Sequence, residues 1–460
     1  MQLSRRRVLQ GVGAGAAVGV LGTPGSATEP DTDTDSDDDD GSDTERLFVH
    51  PETGLLEGIG DLLDVIEAVG GTTLLEYDNF EFVVAEVPAE SRSTLLEDRL
   101  VSDVEEDDET GIPDEWSPSI PDLLDPGGGS DCSRHPSQQP SWGIERIGAD
   151  DVEPDGSGVD VGILDTGIQT DHCSVSVAGG ENVTTSGTSS DYEDRHGHGT
   201  HVAGVAGASD NDVGVVGVAP ETDLYAVKVL NDDGEGRYSE LVAGIDWCLS
   251  NDIELITMSL GGDSSSSTVD QAIEEAHAAG HLLVSAAGNE GNNGDGSCDE
   301  ATLTYPATHD DVVAVTAMNE DDTLASYSSV GSAIDLLAPG TDVTSTTVDN
   351  EYAEASGTSV AAPFVAGVAA LCWETREEDG PGPNDSIREI LGETAEPVLE
   401  SCEEGDGLID ARGAVGDDRA TDGGEYPVVS SSPIDRVVST FERVVDLFTG
   451  FLEWLGGLFR

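Results

Sequence analysis

The chain has 460 residues, which is long enough for one large domain with accessory segments or for two to three ordinary domains. Lys and Arg total 18 against 95 Asp and Glu, the formal net charge is −77, and the single lysine is Lys228. This excess argues against nucleic acid as a partner, because phosphate binding needs a basic patch. At about 1 M salt the screening length falls to roughly 3 Å, so we expect a protein that works in molar salt. The alternative, intrinsic disorder, fits poorly with 37% hydrophobic residues.

The first 27 residues have the composition of an export signal. Three arginines precede an apolar, Gly- and Ala-rich run that ends on the small residues Gly25, Ser26 and Ala27. The run is too short to span a bilayer, so we interpret residues 1–27 as a signal peptide and not as a membrane anchor. The paired arginines after Ser4 are typical of the twin-arginine type, which carries folded cargo, with a plain secretory signal as the alternative. An acidic linker, 28–45, follows.

Residues 46–108 are predicted to form a compact unit. RLFVH indicates a strand, IGDLLDVIEAVGG a helix, and TTLLEYD with FEFVVAEVP a hairpin. AESRSTLLEDRL indicates a second helix and VSDVEED a closing strand. The order βαββαβ predicts a small ferredoxin-like α+β domain. The Pro-, Gly- and Asp-rich stretch 109–136 is predicted to be a linker.

Strands alternate with helices from residue 137 to residue 416. Near-continuous apolar strands such as GVDVGILDTGI, DLYAVKVL, IELITMSL and HLLVSAAGN predict an α/β fold whose parallel sheet is covered by helices on both faces. Ligands of such sheets gather at the carboxyl ends of the strands. Asp165 and Asn289 lie at those ends, whereas His198 and Ser359 begin helices. We therefore expect these four side chains to converge on one edge of the sheet.

The C-terminal segment consists of a polar linker, 417–431, and a predicted amphipathic helix, 432–460. Apolar residues recur at helical spacing around Phe441, but Asp446 and Glu453 interrupt them too often for a spanning helix. The helix is expected to contact a membrane interface or a partner, or else to pack on the preceding domain of its own chain.

The chain contains six cysteines, none of them in a CxxC pair, which argues against a structural zinc site. Outside the cell one to three disulfides are expected, with connectivity left open. Inert buried thiols are the alternative for Cys248 and Cys372, which lie in apolar helical stretches. The others are Cys132, Cys173, Cys298 and Cys402.

Two kinds of chemistry are suggested by single motifs, but each lacks something that its mechanism needs. ILDTGI around Asp165 is typical of aspartic proteases, but the chain has no second DTG or DSG, so that mechanism would require a homodimer. The histidines of RHGHGTH could bind zinc, yet metal-binding pairs on a helix lie at i and i+4 with a nearby acid. His198 and His201 are three residues apart with no Glu between them, and His196 precedes the helix.

A serine–histidine–aspartate triad accounts for the polar positions better. Ser359 in SGTSVAAP begins a helix, where backbone N–H groups and the helix dipole favour developing negative charge. His198 also begins a helix, and Asp165 ends an apolar strand, where an orienting carboxylate would be buried. Asn289 in AAGNEG can donate an amide hydrogen bond to an oxyanion.

Taken together, the motifs resemble those of subtilisin-like serine proteases, or subtilases, and among them the secreted haloarchaeal halolysins. VGILDTGI, HGHGTHVAGVAGA, VGVAPETDLYAVKVL, ITMSLGG, VSAAGNEG and SGTSVAAPFVAGVAAL occur in the order Asp, His, Ser and cover 137 to about 416. The resemblance implies a three-layer subtilisin-like fold and an endopeptidase that cleaves proteins and peptides through an acyl-enzyme. Asp165 would orient, His198 would act as general acid and base, Ser359 would attack, and Asn289 with the Ser359 amide would form the oxyanion hole.

The same resemblance implies that residues 46–108 are an inhibitory, fold-assisting propeptide, removed autocatalytically within the linker. A permanent accessory domain is the alternative. It also implies a substrate-binding strand that pairs with an extended peptide, and walls of a P1 pocket. The residues concerned are Ser259, Leu260, Gly261, Gly262, Ala287 and Gly288. The loop before Tyr305 carries extra residues, so P1 preference stays open between large apolar side chains and basic ones, for which Glu290 leaves room.

A structural calcium site is implied at ASDNDVGVVGVAP. Its ligands would be the side chains of Gln138 and Asn211 with the carbonyl oxygens of Ser209, Val213 and Val215. The position where the family supplies an Asp carboxylate is Ser174 in this chain. Asp210 or Asp212 could compensate, and a calcium-free loop is the alternative.

Two rival functions remain on this fold. One is a catalytically silent peptide-binding protein, and the other is a maturation protease dedicated to one partner. Since all four catalytic positions are filled, we favour a secreted, self-processing endopeptidase.

Overall fold

The computed structural model describes residues 44–52, 59–112, 118–119, 132, 137–291, 302–375, 383–399 and 401–416. The predicted signal peptide, nearly all of the acidic linker, most of the 109–136 linker and the whole tail from 417 lie outside the described residues. In the described part, no helix has the length and apolar character needed to cross a membrane.

The N-terminal unit has the βαββαβ order expected from its sequence. Its elements are β1 (Thr44–Pro51), α1 (Ile59–Ala68), β2 (Thr72–Glu76), β3 (Val83–Pro88), α2 (Arg92–Glu97) and β4 (Val101–Glu106). The strands form an antiparallel sheet in the order β2-β3-β1-β4. One face packs on the unit's own helices through Leu62 and Ile66. Phe48, Phe82 and Val84 on the other face share an apolar core with residues of the larger unit.

A short strand lies within the predicted linker. Residues Glu109–Gly111 form β5, which pairs antiparallel with residues 235–237 of the larger unit. The composition of the linker gave no indication of this strand, because its pairing partner is more than a hundred residues away in the chain.

The larger unit is the predicted α/β domain. Its strands are β6 (Gln139–Pro140), β7 (Asp160–Asp165), β8 (Val177–Asn182), β9 (Val215–Val216), β10 (Asp223–Lys228), β11 (Glu235–Arg237), β12 (Leu255–Met258), β13 (Leu282–Ala286), β14 (Val312–Met318), β15 (Leu336–Pro339), β16 (Val343–Thr347) and β17 (Glu351–Ala355). Its helices are α3 (Trp142–Ile147), α4 (His198–Gly207), α5 (Tyr238–Ser250), α6 (Ser267–Ala279), α7 (Thr358–Glu374), α8 (Pro383–Thr394), α9 (Ser401–Glu404) and α10 (Ala411–Ala414).

A seven-stranded parallel sheet forms the middle layer, in the order β15-β14-β13-β12-β7-β10-β8. Every residue of β12, β13 and β14 is buried, as continuous apolar runs require when both faces of a sheet are covered. Residues of α4 and α7 join the apolar core on one face, and those of α5 and α6 join the core on the other. The predicted three-layer fold is confirmed.

The strand order reverses beside β7, because β8 and β10 lie on one side of it and β12 to β15 on the other. In open α/β sheets a crevice forms outside the carboxyl ends of the strands at such a switch point. Asp165 is the last residue of β7, and Ser259 directly follows β12. The topology therefore brings these two residues to the mouth of one crevice.

Candidate active site

Asp165 and His198 form a buried pair at this crevice. The Nδ1 atom of His198 lies 2.8 Å from Oδ1 and 2.9 Å from Oδ2 of Asp165, and both side chains are 0% exposed. Since a carboxylate can only accept, Nδ1 is the donor, and Nε2 on the other side of the ring is the nitrogen that can accept a proton.

Two glycines allow α4 to begin this close to β7. A β-carbon on Gly199 would lie 2.1 Å from the carbonyl oxygen of Gly167 and 3.1 Å from the side chain of Asp165. Only a glycine fits at Gly199, and its N–H donates to Thr166 Oγ1 at 3.0 Å. Gly197 precedes the helix at φ 104°, a left-handed conformation that glycine adopts readily.

Asp194 holds the turn before α4, a role that the sequence analysis missed. Its Oδ1 accepts from the N–H groups of His196 and Gly197 at 2.9 and 3.0 Å, and from Thr166 Oγ1 at 2.9 Å. Its Oδ2 accepts from the N–H and the hydroxyl of Thr200 at 2.9 and 2.7 Å. The N-cap position is Gly197, and Asp194 precedes it by three residues, so the usual N-cap signal does not indicate this role.

Ser359 is the second residue of α7, and its carbonyl oxygen accepts a hydrogen bond from a residue outside the helix. In a regular helix the N–H of Pro363 would donate to the carbonyl oxygen of Ser359, but proline has no N–H. That carbonyl instead accepts from Ser259 Oγ at 2.8 Å. The first residue after β12 is therefore hydrogen-bonded directly to the backbone of Ser359.

Asn289 lies three residues beyond β13, and Thr358 fixes the orientation of its side-chain amide. Its Oδ1 accepts from both the N–H and the hydroxyl of Thr358, each at 2.9 Å. A β-carbon on Gly357 would lie 2.9 Å from Ser359 Oγ and 3.5 Å from Asn289 Nδ2. The amide N–H group of Asn289 and the hydroxyl of Ser359 thus border the same small space.

The two other histidines of the cluster have different surroundings. The Nε2 atom of His201 lies 3.2 Å from the carbonyl oxygens of Val343 and Ala353, and burial lowers its pKa to about 3. His201 is therefore neutral at working pH. His196 is half-buried, burial lowers its pKa, and its Nε2 lies near Gly234 in the loop before β11.

The predicted substrate-binding strand is paired with an extended segment of the chain itself. The N–H of Gly261 donates to the carbonyl oxygen of Gly111 at 2.9 Å, and the N–H of Gly111 donates back at 3.1 Å. On the other side β5 pairs with β11, and the N–H of Ile112 donates to Gly234 at 3.1 Å. Residues 109–112 therefore form the middle strand between Ser259–Gly262 and β11.

Thr304 lies between the two predicted walls of the P1 pocket. A β-carbon on Gly261 would lie 2.6 Å from Thr304 Oγ1, and one on Gly288 would lie 2.8 Å from Thr304 Cγ2. The N–H of Thr304 donates to the carbonyl oxygen of Ala287 at 3.0 Å. The side chain of this threonine fills space that two glycines leave open. Residues 292–301 of the adjoining loop lie outside the described residues.

The predicted calcium ligands lie together, but their oxygens are engaged. Gln138 Nε2 donates to the carbonyl oxygens of Ser209 and Val215 at 2.8 and 3.2 Å, and Ser174 Oγ donates to that of Val213 at 3.0 Å. Within the described ranges, no group of three or more His, Cys, Asp and Glu side chains is arranged to hold a metal ion. The donor set does not fit calcium as it stands.

Disulfide bonding is present, as expected. Cys132 is joined to Cys173, and Cys402 is also disulfide-bonded. Cys248 and Cys372 are buried and form no disulfide bond, and Cys372 Sγ donates to the carbonyl oxygen of Ala414 at 3.3 Å.

Comparisons with known proteins agree with the fold and identify the family. A profile described as Subtilase family matches residues 156–425. The chain is 43% identical to Subtilisin DY of Bacillus licheniformis over 281 residues, which are 60% of this chain and 99% of that protein. It is 36% identical to Subtilisin NAT of Bacillus subtilis subsp. natto over 354 residues, 76% of this chain and 85% of that protein. It is 42% identical to the Thermostable alkaline protease of Halalkalibacterium halodurans over 278 residues, 60% of this chain and 73% of that protein.

The family profile spans more than half of the chain, and the chain covers nearly all of one relative. The chain therefore belongs to the subtilase family and is a serine endopeptidase of the subtilisin type.

Proposed function

We propose that this protein is a secreted, halophilic endopeptidase that uses Asp165, His198 and Ser359 as its catalytic triad. The observation that carries the proposal is the fully buried Asp165–His198 pair at the crevice. Ser259, at the same crevice, donates a hydrogen bond to the backbone of Ser359. Ser359 Oγ attacks the peptide carbonyl while His198 Nε2 takes its proton, and Asp165 stabilises the charged imidazole. The Asn289 amide and the Ser359 N–H stabilise the oxyanion. His198 then protonates the leaving amine, and water hydrolyses the acyl-enzyme.

A fluorophosphonate probe in molar salt tests this assignment. We expect covalent labelling of Ser359, identified by peptide mapping, and no labelling after Ser359→Ala. A silent peptide-binding protein would leave the probe unreacted, which would overturn the proposal. A protease dedicated to one partner would react with the probe but would not hydrolyse a casein substrate, so the same sample separates the two rivals.

We propose further that residues 46–108 are a propeptide, because two of its carboxylates cap helices of the catalytic domain. Glu105 Oε2 accepts from the N–H of Thr268 at 3.0 Å and Oε1 from that of Ser267 at 2.9 Å, at the start of α6. Asp107 Oδ1 accepts from the N–H of Ser239 at 2.8 Å, at the start of α5. Negative charge at a helix N-terminus is stabilising, so these contacts favour binding of the N-terminal unit. Strand β5, which follows Asp107 in the chain, continues into the cleft. This arrangement supports inhibition of the precursor followed by self-cleavage in the linker.

Export through a twin-arginine signal is supported by the composition of residues 1–27. The proposed contact of helix 432–460 with a membrane or a partner lies outside the described residues, and so does the signal. The triad itself needs no metal ion, so the predicted calcium loop bears on stability alone.

Thr304 is proposed to limit the size of the P1 residue. We expect Thr304→Gly to raise kcat/KM for a peptide with Phe at P1, relative to one with Ala, by about 10- to 100-fold, because the pocket gains the volume of the threonine side chain. Initial rates on paired chromogenic peptides measure the ratio. Thr323→Gly, at an exposed threonine, should leave the ratio unchanged. An unchanged ratio in Thr304→Gly would show that this residue does not line the pocket.

Ser259 is proposed to position the nucleophile through its hydroxyl. We expect Ser259→Ala to lower kcat about 10-fold, because the Ser359 carbonyl oxygen loses its hydrogen-bond donor and the first turn of α7 shifts. Ser285→Ala is the matched control, since Ser285 Oγ is equally buried and donates to the carbonyl oxygen of Met258 at 3.1 Å. Both variants should lose similar thermal stability, whereas kcat should fall in Ser259→Ala alone. Equal kcat values in the two variants would contradict the proposal.

A further inference from the structure

The loop between α4 and β9 is closed by the chain's own side chains. Three carbonyl oxygens face inward there, and each accepts a side-chain hydrogen bond. Ser209 and Val215 accept from Gln138 Nε2, and Val213 accepts from Ser174 Oγ, at 2.8 to 3.2 Å. We propose that this network, together with the Cys132–Cys173 disulfide, replaces a metal ion and makes the loop independent of calcium.

The orientation of the Gln138 amide follows from its other contact. Its Oε1 accepts from the N–H of Asp212 at 3.1 Å, so its NH₂ group faces the two carbonyl oxygens. If Oε1 turned toward a cation, the N–H of Asp212 would face the NH₂ group and lose its acceptor. Asn211 is engaged in the same way, with Oδ1 accepting from the N–H of Val213 at 3.1 Å and Nδ2 donating to Cys173 at 2.9 Å.

The loop also lacks the negative charge that calcium requires. Ca²⁺ takes about six to eight oxygen ligands, normally with carboxylates among them. Ser174 is 0% exposed and lies where a carboxylate is expected, and its Oγ is 2.8 Å from the hydroxyl of Tyr352. Asp210 and Asp212 are exposed, and the contact of Asp212 with the loop is made by its backbone. All the inward-facing groups are therefore neutral.

A covalent bond reinforces the same place. The Cys132–Cys173 disulfide joins the segment before β6 to the residue that precedes Ser174. Strand β6 pairs with β9, and the N–H of Ser209 donates to the carbonyl oxygen of Ser174 at 2.8 Å. The disulfide and the hydrogen bonds thus connect the N-terminal segment of the catalytic domain to both sides of the loop.

Thermal unfolding of the full-length Ser359→Ala protein, which cannot digest itself, tests the inference. In molar NaCl we expect the Tm in excess EDTA and in excess CaCl₂ to agree within about 1 °C, since a ligand that does not bind the native state does not stabilise it. A Tm several degrees higher in calcium would overturn the proposal. Equilibrium dialysis with ⁴⁵Ca²⁺ on the same protein gives a second readout, and stoichiometric uptake that Gln138→Ala abolishes would overturn it as well.

The double variant Cys132→Ser, Cys173→Ser removes the covalent part. Because the cross-link closes a loop of 41 residues, we expect the Tm to fall by about 5 °C or more. Calcium should not restore it, and restoration would mean that a metal ion does hold the loop.

Ser174→Asp serves as an independent test, because it returns a carboxylate to the loop. This variant should gain a calcium-dependent rise in Tm of about 3 °C or more. Ser190→Asp, at an exposed serine, should not. An equal calcium-dependent rise in Tm in the two aspartate variants would contradict the proposal that Ser174 occupies the position of a carboxylate ligand.

Discussion

Replacing Ser359 by Ala is expected to abolish peptide hydrolysis and to leave the protein as its full-length precursor. The substitution removes the attacking oxygen, while the Asp165–His198 pair stays in place. In subtilisin, a member of the same family, loss of the catalytic serine costs about 2 × 10⁶ in kcat; that value was measured there, and we expect a loss of the same order here. The maturation effect has the same cause, since β5 leads the linker into the cleft beside Ser259.

Intact-mass spectrometry of the protein, together with peptide hydrolysis in molar salt, measures both effects. Ser356→Ala is the matched control, because Ser356 is an exposed serine three residues upstream and its hydroxyl accepts from the N–H of Asp342 at 2.9 Å. It should mature and hydrolyse normally. If Ser359→Ala matured normally, another protease would be responsible for processing. If it still hydrolysed peptides, the proposed triad would be wrong. Cleavage of the Ser359→Ala precursor by added active enzyme at the linker alone, with residues 137–416 left intact, would show that the precursor is folded and that its linker is accessible.

The parts of the fold that follow from local pattern were predictable. The apolar runs that end at Asp165 and shortly before Asn289 are strands because both faces of the sheet are covered, and their carboxyl ends meet at one edge. The Gly- and Ala-rich stretch after Ser359 is a buried helix, as its composition indicates. For the same reason the catalytic positions could be proposed from motif order and strand ends.

The parts that depend on distant contacts were not predictable. Strand β5 exists because residues 109–111 find partners at β11 and Gly261, which no local periodicity reveals. The hydrogen bond from Ser259 Oγ reaches the carbonyl oxygen of Ser359, 100 residues away in the chain, which the missing N–H of Pro363 leaves open. The calcium loop was interpreted from ligand types, whereas the direction of the Gln138 amide depends on the N–H of Asp212. These hydrogen bonds depend on which donor and which acceptor the folded chain brings together, and local sequence does not contain that information.

In low salt the protein is expected to lose its fold. A formal net charge of −77 on 460 residues produces a self-repulsion that is screened within roughly 3 Å at about 1 M salt but only within about 30 Å at 0.01 M. Circular dichroism of the Ser359→Ala protein during stepwise dilution of NaCl measures the transition without interference from autolysis. Sucrose at equal osmolarity should protect much less than NaCl, because its exclusion from the protein surface favours the folded state but does not screen charge. A helical signal that is unchanged from molar to millimolar salt would contradict the halophilic assignment.

One local cluster shows how the repulsion acts and gives a variant that tests it. Burial, and then the nearby carboxylates of Glu254 and Asp223, raise the pKa of Asp160 from its ordinary value of 3.8 to about 6. An acid whose folded-state pKa is raised is easier to ionise in the unfolded chain, so folding stability falls as the pH rises from about 4 through about 6. At neutral pH the ionised Asp160 therefore opposes folding, and salt relieves part of that cost. Asp160→Asn should move the unfolding transition to lower NaCl concentration.

Asp233→Asn is the control for this variant, since it removes one charge from an exposed turn. It should move the transition much less than Asp160→Asn, because an exposed carboxylate, even one beside Asp232, is already screened by water and ions. Equal shifts would mean that net charge alone sets the salt requirement. A larger shift for Asp160→Asn would mean that salt stabilises this fold chiefly where carboxylates are crowded and partly buried, at the amino end of the central strand β7.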